Sequence, residues 1–242
     1  MYFSVITPEE RLLRQAAHEL AQSSYAVHQW LWKFFPSSAD QTRDFIFRRH
    51  EFEQMPRFYV VSQRPPVAFS DAWQVQSRVY DPQLQEGQRL SFQLHANPVI
   101  TRKNDAGKPQ RHDVVIQAKK QLLAGHGLSK EAKWADWKDA SSKPLLYELV
   151  QERCAEWLDG VSKKNGFQIA LTDEDEPQRK LRVEAYQQNK AGKRDHNILF
   201  STVDFAGELL VTNTALFHLA LLNGIGHAKA FGCGLLLVRR LG

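Results

Sequence analysis

The chain has 242 residues, 43% of them hydrophobic, and its 32 Lys and Arg against 27 Asp and Glu leave a formal net charge of +5. That length suits one large or two small domains with ordinary apolar cores, and the modest basic excess favours an anionic partner. Cys154 and Cys233, the only cysteines, exclude a disulfide framework and a thiolate metal site; no run of about 18 apolar residues is present to cross a bilayer.

Met1 to Thr7 alternates and β-branches as a strand does. No basic region precedes an apolar stretch there, so the cytoplasm is the expected location. Thr7-Pro8-Glu9-Glu10 matches a capping box with proline at the first helical position, which predicts a helix starting at that point, with Leu12, Leu13, Ala16, Ala17 and Leu20 as its apolar stripe. Ser23-Ser24 is placed to cap a second helical stretch, in which Val27, Trp30, Leu31, Phe34 and Phe35 keep the 3.6-residue period up to Pro36. Strands are expected over 45–52, 57–63 and 73–80, then a linker over 81–87. Residues 90–101 read as one strand with Leu90, Phe92 and Leu94 on its inward side. A helix over 144–158, strands over 167–171, 181–187, 197–205 and 208–211, a helix over 212–222 and a closing strand over 232–240 complete the pattern. These elements predict an α+β chain of two tandem ferredoxin-like (RRM-like) domains with antiparallel sheets, divided as residues 1–88 and 89–242.

Charge is unevenly spread. Arg102, Lys103, Lys108, Arg111, Lys119 and Lys120 face only Asp105 and Asp113 within one stretch; Arg179, Lys180, Arg182, Lys190, Lys193 and Arg194 face only Glu184 and Asp195 in another. Turn signals at Asn104–Gly107 and Asn189–Gly192 predict a hairpin with a basic tip in each, suited either to gripping a phosphate backbone or simply to solvation. Four of the 13 glycines, Gly224, Gly226, Gly232 and Gly234, flank Lys229 in the segment Gly224–Gly234. Glycine admits positive φ and close backbone approach, so this segment reads as an N–H-lined loop near an anion or as a tightly packed turn.

Candidate catalysts are few. The sequence has no H-E-x-x-H, no G-x-S-x-G and no clustered Cys/His ligands, which argues against zinc proteases, serine hydrolases and zinc deaminases. Tyr25 and His28 lie three residues apart on one helix face, with Trp32 a further turn along. A neutral imidazole beside a phenol suits proton transfer near pH 7; the same spacing in so aromatic a helix also suits plain packing.

Tyr25-Ala26-Val27-His28-Gln29-Trp30-Leu31-Trp32, Phe35-Pro36, Arg43-Asp44-Phe45-Ile46-Phe47, Leu94-His95-Ala96-Asn97-Pro98 and the closing glycine segment occur in the same order in the CasE family, which the chain resembles over nearly its whole length. These are the CRISPR-associated endoribonucleases of type I-E systems. The resemblance implies tandem ferredoxin-like domains and cleavage of CRISPR precursor RNA within its repeats with no metal or cofactor. Its implied partners are repeat stem-loop RNA, mature crRNA and the other subunits of a Cascade complex, with no membrane. On that basis His28 would transfer protons and Tyr25 would orient the 2′-OH or the phosphate. Gly224, Gly226, Lys229, Gly232 and Gly234 would lie near RNA or the active helix. Arg179, Arg182, Lys190, Lys193 and Arg194, with Arg102 and Lys103, would contact the RNA. His227 departs from the family pattern, which has a small or basic residue before Ala-Lys. A non-catalytic subunit that holds crRNA is the alternative: Lys229-Ala230-Phe231-Gly232 resembles the start of an RRM signature, although Cys233 and Leu236 stand where stacking aromatics belong.

Overall fold

A computed structural model describes residues 1–20, 24–36, 42–53, 55–104, 106–129, 131–139, 141–193 and 196–241. Strands β1 (Tyr2–Pro8), β2 (Phe45–Phe52), β3 (Met55–Ser62) and β4 (Trp73–Val79) form one antiparallel sheet in the order β2-β3-β1-β4. Alternation along these strands buries Ile6, Phe45, Phe47, Phe58 and Val60 on one face, under helices α1 (Leu13–Leu20) and α2 (Ser24–Trp32). Trp30 anchors that core, with its ring centroid 4.5 Å from Trp73, 4.8 Å from Phe58 and 4.9 Å from Phe34. Such aromatic pairs are each worth about 0.5–1.5 kcal/mol beyond their buried area.

The second sheet uses β5 (Arg89–Ala96), a short β8 (Phe167–Ile169), β9 (Leu181–Lys193), β10 (His196–Val211) and β11 (Leu236–Arg240), in the order β11-β5-β10-β8, with β9 also paired to β10. Between β5 and β8 lie a two-stranded hairpin, β6 (Val99–Lys103) with β7 (Pro109–Asp113), and helices α3 (Val114–Gly125) and α4 (Leu146–Lys164); α5 (Thr214–Asn223) precedes β11. Each sheet follows the ferredoxin-like order of fourth, first, third, second strand, so the expected tandem α+β fold is borne out. In the first repeat residues 63–72 take the place of the second helix without forming one. Among the described residues, no helix is long and apolar enough to cross a membrane.

The structure corrects several expectations. The capping box is not used: β1 runs through Pro8, which pairs with Trp73, and only a 3-10 turn at Glu10–Leu12 leads into α1. Glu9 N–H donates to Ala72 O at 2.9 Å, so the alternation of the ladder turns the proline nitrogen away from β4, toward the side where β3 has stopped pairing at Ile6. Residues 21–23, including Ser23, lie outside the described residues. The strand expected over 90–101 is two, divided at Asn97-Pro98, and Lys119 and Lys120 belong to α3 rather than to a hairpin. Asn189–Gly192 is not a turn; it pairs in register with Phe200 to Asn197, so β9 continues to Lys193 and β10 begins at His196. The strands expected over 197–205 and 208–211 are one strand, β10.

Candidate active site

Helix α2 turns Val27, Trp30 and Leu31 into the core and leaves His28 at the flank of that face, half-buried. Trp32, one turn on, donates its Nε1–H to His28 Nε2 at 3.2 Å, and the imidazole centroid lies 6.0 Å from Phe45. An indole nitrogen only donates, so Nε2 accepts and the neutral ring carries its proton on Nδ1. That Nδ1 is buried with no hydrogen-bond partner among the described residues. Burial holds the His28 pKa below the ordinary imidazole value, and the charge of Arg43 lowers it further. The ring is therefore neutral at pH 7. Tyr25 stands three residues earlier on the same helix, and its side chain lies outside the described residues.

Residues 224–235 carry the chain from α5 to β11. Gly224, Gly226, Gly232 and Gly234 all have positive φ, and so does Ala228. Gly234 makes the closest approach: a Cβ there would lie 2.5 Å from Ile225 O. The amides are largely used within the protein. Gly224 N–H donates to Ala220 O, Gly232 N–H to Lys229 O and Gly234 N–H to His95 O, leaving Gly226 as the one of the four without such a bond among the described residues. The idea of a loop lined with free N–H groups thus fails at three of the four glycines, which shape the path of the chain instead.

That path delivers Lys229 to the site. The 3-10 turn Lys229–Phe231 packs against α2 and β2. Burial lowers the Lys229 pKa, and Arg43 lowers it further. One guanidinium therefore sits close enough to repel both the His28 cation and the Lys229 ammonium. Two cations held beside a neutral imidazole form a place for an anion that can exchange a proton. Among the described residues, no group of three or more His, Cys, Asp and Glu is arranged to hold a metal ion.

The predicted basic residues divide. Arg179 is tied to Asp159 of α4 at 2.7 Å, and Arg182 lies 3.8 Å from Glu184. Lys190 is exposed on β9, Lys193 ends that strand with its side chain outside the described residues, and Arg194 lies outside them altogether. From Arg182 to Lys193 the strand extends roughly 36 Å at 3.3 Å per residue. Strand β9 also packs against α2, so the arm and the His28 helix are neighbours. Arg102 and Lys103 are exposed on β6. Sequence reasoning did not single out Arg43 as a site residue, since nothing in its spacing places it beside His28; Trp32 was visible at four residues' distance, but not as a hydrogen-bond donor.

Residues 1–240 match the pattern of the family described as CRISPR associated protein. The chain belongs to that family. It is 27% identical over 222 residues to the Cascade subunit CasE of Escherichia coli K12, covering 91% of this chain and 94% of that one. Among solved structures it is similar to the CRISPR endoribonuclease Cse3 bound to a 19-nucleotide RNA, with a TM-score of 0.68 and 21% identity over 99% of this chain and 100% of the other. It is also similar to Thermus thermophilus Cse3 bound to an RNA representing a pre-cleavage complex, with a TM-score of 0.64 and 22% identity over 98% of each chain. The expected membership of the CasE family is borne out by the family match and the E. coli relative together.

Proposed function

We propose that this chain is a metal-independent endoribonuclease that cleaves CRISPR precursor RNA within its repeat stem-loops and stays bound to the mature crRNA in a Cascade-type complex in the cytoplasm. The observation that carries the reading is the neutral, half-buried His28, whose buried Nδ1 has no partner among the described residues, set near Arg43 and the turn that carries Lys229. The relatives carry the substrate class: CasE is a Cascade subunit and Cse3 a CRISPR endoribonuclease that binds RNA. Residues 1–88 would form the domain with the catalytic helix, and 89–242 the domain with the basic hairpins and the glycine segment.

RNA brings its own nucleophile. The 2′ oxygen attacks the adjacent phosphorus, the bond from phosphorus to the 5′ oxygen breaks, and a 2′,3′-cyclic phosphate and a 5′-OH result. His28, neutral at pH 7, takes the 2′-OH proton at Nε2 once Trp32 yields that lone pair, and its buried Nδ1 keeps its own proton. Tyr25 orients the 2′-OH. Arg43 and Lys229 neutralise charge growing on the phosphorane, and Lys229, made more acidic by burial and Arg43, supplies a proton to the departing 5′ oxygen.

The test is incubation of repeat-hairpin RNA with the protein and with His28→Ala, in EDTA. Cutting at one site is expected from the wild-type protein, with a loss of roughly 10²–10⁴-fold in the variant at unchanged affinity. Continued cutting of RNA carrying a 2′-deoxy scissile nucleotide would rule out the internal nucleophile. Tight binding without cutting by either protein would favour an RNA-holding subunit.

A further inference from the structure

We propose that a groove beside the glycine segment binds one unpaired nucleobase next to the scissile phosphate, stacked on the Phe200–Phe231 pair. The inference rests on the endoribonuclease reading and adds a specificity subsite to it. The groove has a volume of about 510 Å³, within the roughly 300–1,000 Å³ of ligand pockets, and runs between β7, the β9–β10 arm and the loop after α5. Phe200 and Phe231 stack at 4.5 Å with their planes 24° apart, and both residues remain partly exposed where they line it. Two partly exposed stacked rings in a groove that also presents Arg111 and Lys120 are suited to a base, whose π-face they accept whatever its sequence.

The other lining groups match the rest of a nucleotide. Gln110 and Gln188 are exposed and carry both donors and acceptors, as reading a base edge requires. Arg111 and the exposed Lys120 supply positive charge for the flanking phosphate, while burial and the charges of Arg111 and Lys229 lower the His227 pKa and favour its neutral ring. Position ties the groove to the reaction. Phe231 stands two residues after Lys229 in the turn that packs against α2, so a strand whose phosphate meets His28 and Lys229 passes its next base to the groove. Stem pairing would keep a base away from this platform, so the occupant is a nucleotide outside the stem or released from its end.

The test uses uncleavable repeat RNA with a 2′-deoxy scissile nucleotide, intact or made abasic at the nucleotide on one or the other side of the scissile phosphate. Affinities are measured for the wild-type protein, Phe231→Ala and Phe231→Leu, the last keeping apolar bulk without a flat ring. One abasic substitution is expected to weaken wild-type binding roughly 5- to 100-fold, each variant to weaken binding of intact RNA by a similar factor, and the combination to lose no more than either alone. Losses that multiply, or abasic RNAs that bind as well as intact RNA, would overturn the subsite. Because the readout is binding, a coupled loss in a protein that never cuts cleavable RNA would overturn the endoribonuclease reading and leave the base site standing.

Discussion

Burial and, after it, the charge of Arg43 lower two pKa values, and that makes Arg43 a sensitive residue to change. Its charge opposes protonation of His28 and of Lys229, in each case adding to burial. Arg43→Gln removes the repulsion, so His28 protonates at higher pH and the neutral base is lost sooner on acidification. The acidic limb of the cleavage pH–rate profile is expected to move to higher pH, with a larger rate loss at pH 6 than at pH 8; a limb that stays in place would leave burial as the whole cause. The glycines separate by the same kind of local argument. Gly226 has φ +72° but only the Trp157 ring at 3.7 Å near its missing Cβ, whereas Gly234 has φ +93° and a backbone oxygen at 2.5 Å. Gly226→Ala is expected to cost about 1 kcal/mol, from the left-handed conformation alone. Gly234→Ala adds a clash with backbone and is expected to cost at least ~2 kcal/mol, both read from urea unfolding midpoints.

Among the elements, the β9–β10 arm concentrates charge that the fold does not neutralise. Arg179 is held by Asp159, while no ion pair joins the exposed Lys190 to a described residue. Lys190→Ala is expected to reduce the slope of log affinity for repeat RNA against log salt by roughly 1, and Arg179→Ala by clearly less. Equal changes would mean that the ion pair to α4 opens on binding. The arm also shows where sequence stopped being legible. Its turn chemistry at Asn189–Gly192 is real locally, but cross-strand pairing with β10 overrides it. Gly207 reads as a break in a strand, yet it is there because a Cβ would lie 2.1 Å from Lys180 O, where the start of β9 crosses close. Helix α3 was invisible because Val114-Val115-Ile116 looks like a strand; the Asp113 carboxylate, accepting from Ile116 N–H at 2.7 Å, starts the helix against that preference. A strand with clean alternation, such as β5, was legible because it has one face on a core. Of the candidate site, spacing put Tyr25 and His28 on one helix face and composition put Lys229 among the glycines, while the roles proposed for them came from the family resemblance. Arg43 could not be placed with them in this way, since only the fold brings it to them.

At the scale of the molecule, the two sheets meet through a small apolar seam and one charged cluster. Ile46 and Val61 of the first sheet pack with Leu235, the residue just before β11. Beside them Arg48 of β2 donates to Asp204 of β10 at 3.3 Å, and His95 of β5 places Nδ1 3.0 Å from the same oxygen. The backbone oxygen of His95 accepts from Gly234 N–H at 2.7 Å, so the cluster also pins the segment that carries Lys229. Arg48 is buried, and its Nη1 has no partner among the described residues, so Asp204 is its main compensation. Burial works to raise the Asp204 pKa, but the hydrogen bond and charge of His95 together with Arg48 outweigh it and hold the carboxyl below its usual value. A carboxylate depressed in the folded state adds stability above its unfolded pKa of about 3.9 and loses that contribution as pH falls through the lower folded value. Asp204→Asn is therefore expected to cost about 1–3 kcal/mol at pH 7, less than for a fully buried pair because the Asp204 side chain is 33% exposed. The gap between variant and wild type should close at acid pH, below the ordinary carboxylate range. Since the cluster spans the seam, the variant is also expected to unfold in urea in two steps where the wild type shows one, followed by tryptophan fluorescence from Trp30 and Trp73 in the first core and Trp157 in the second. Additive losses in a cycle with Arg48→Met, or a single unshifted transition, would show that the apolar seam alone couples the two sheets.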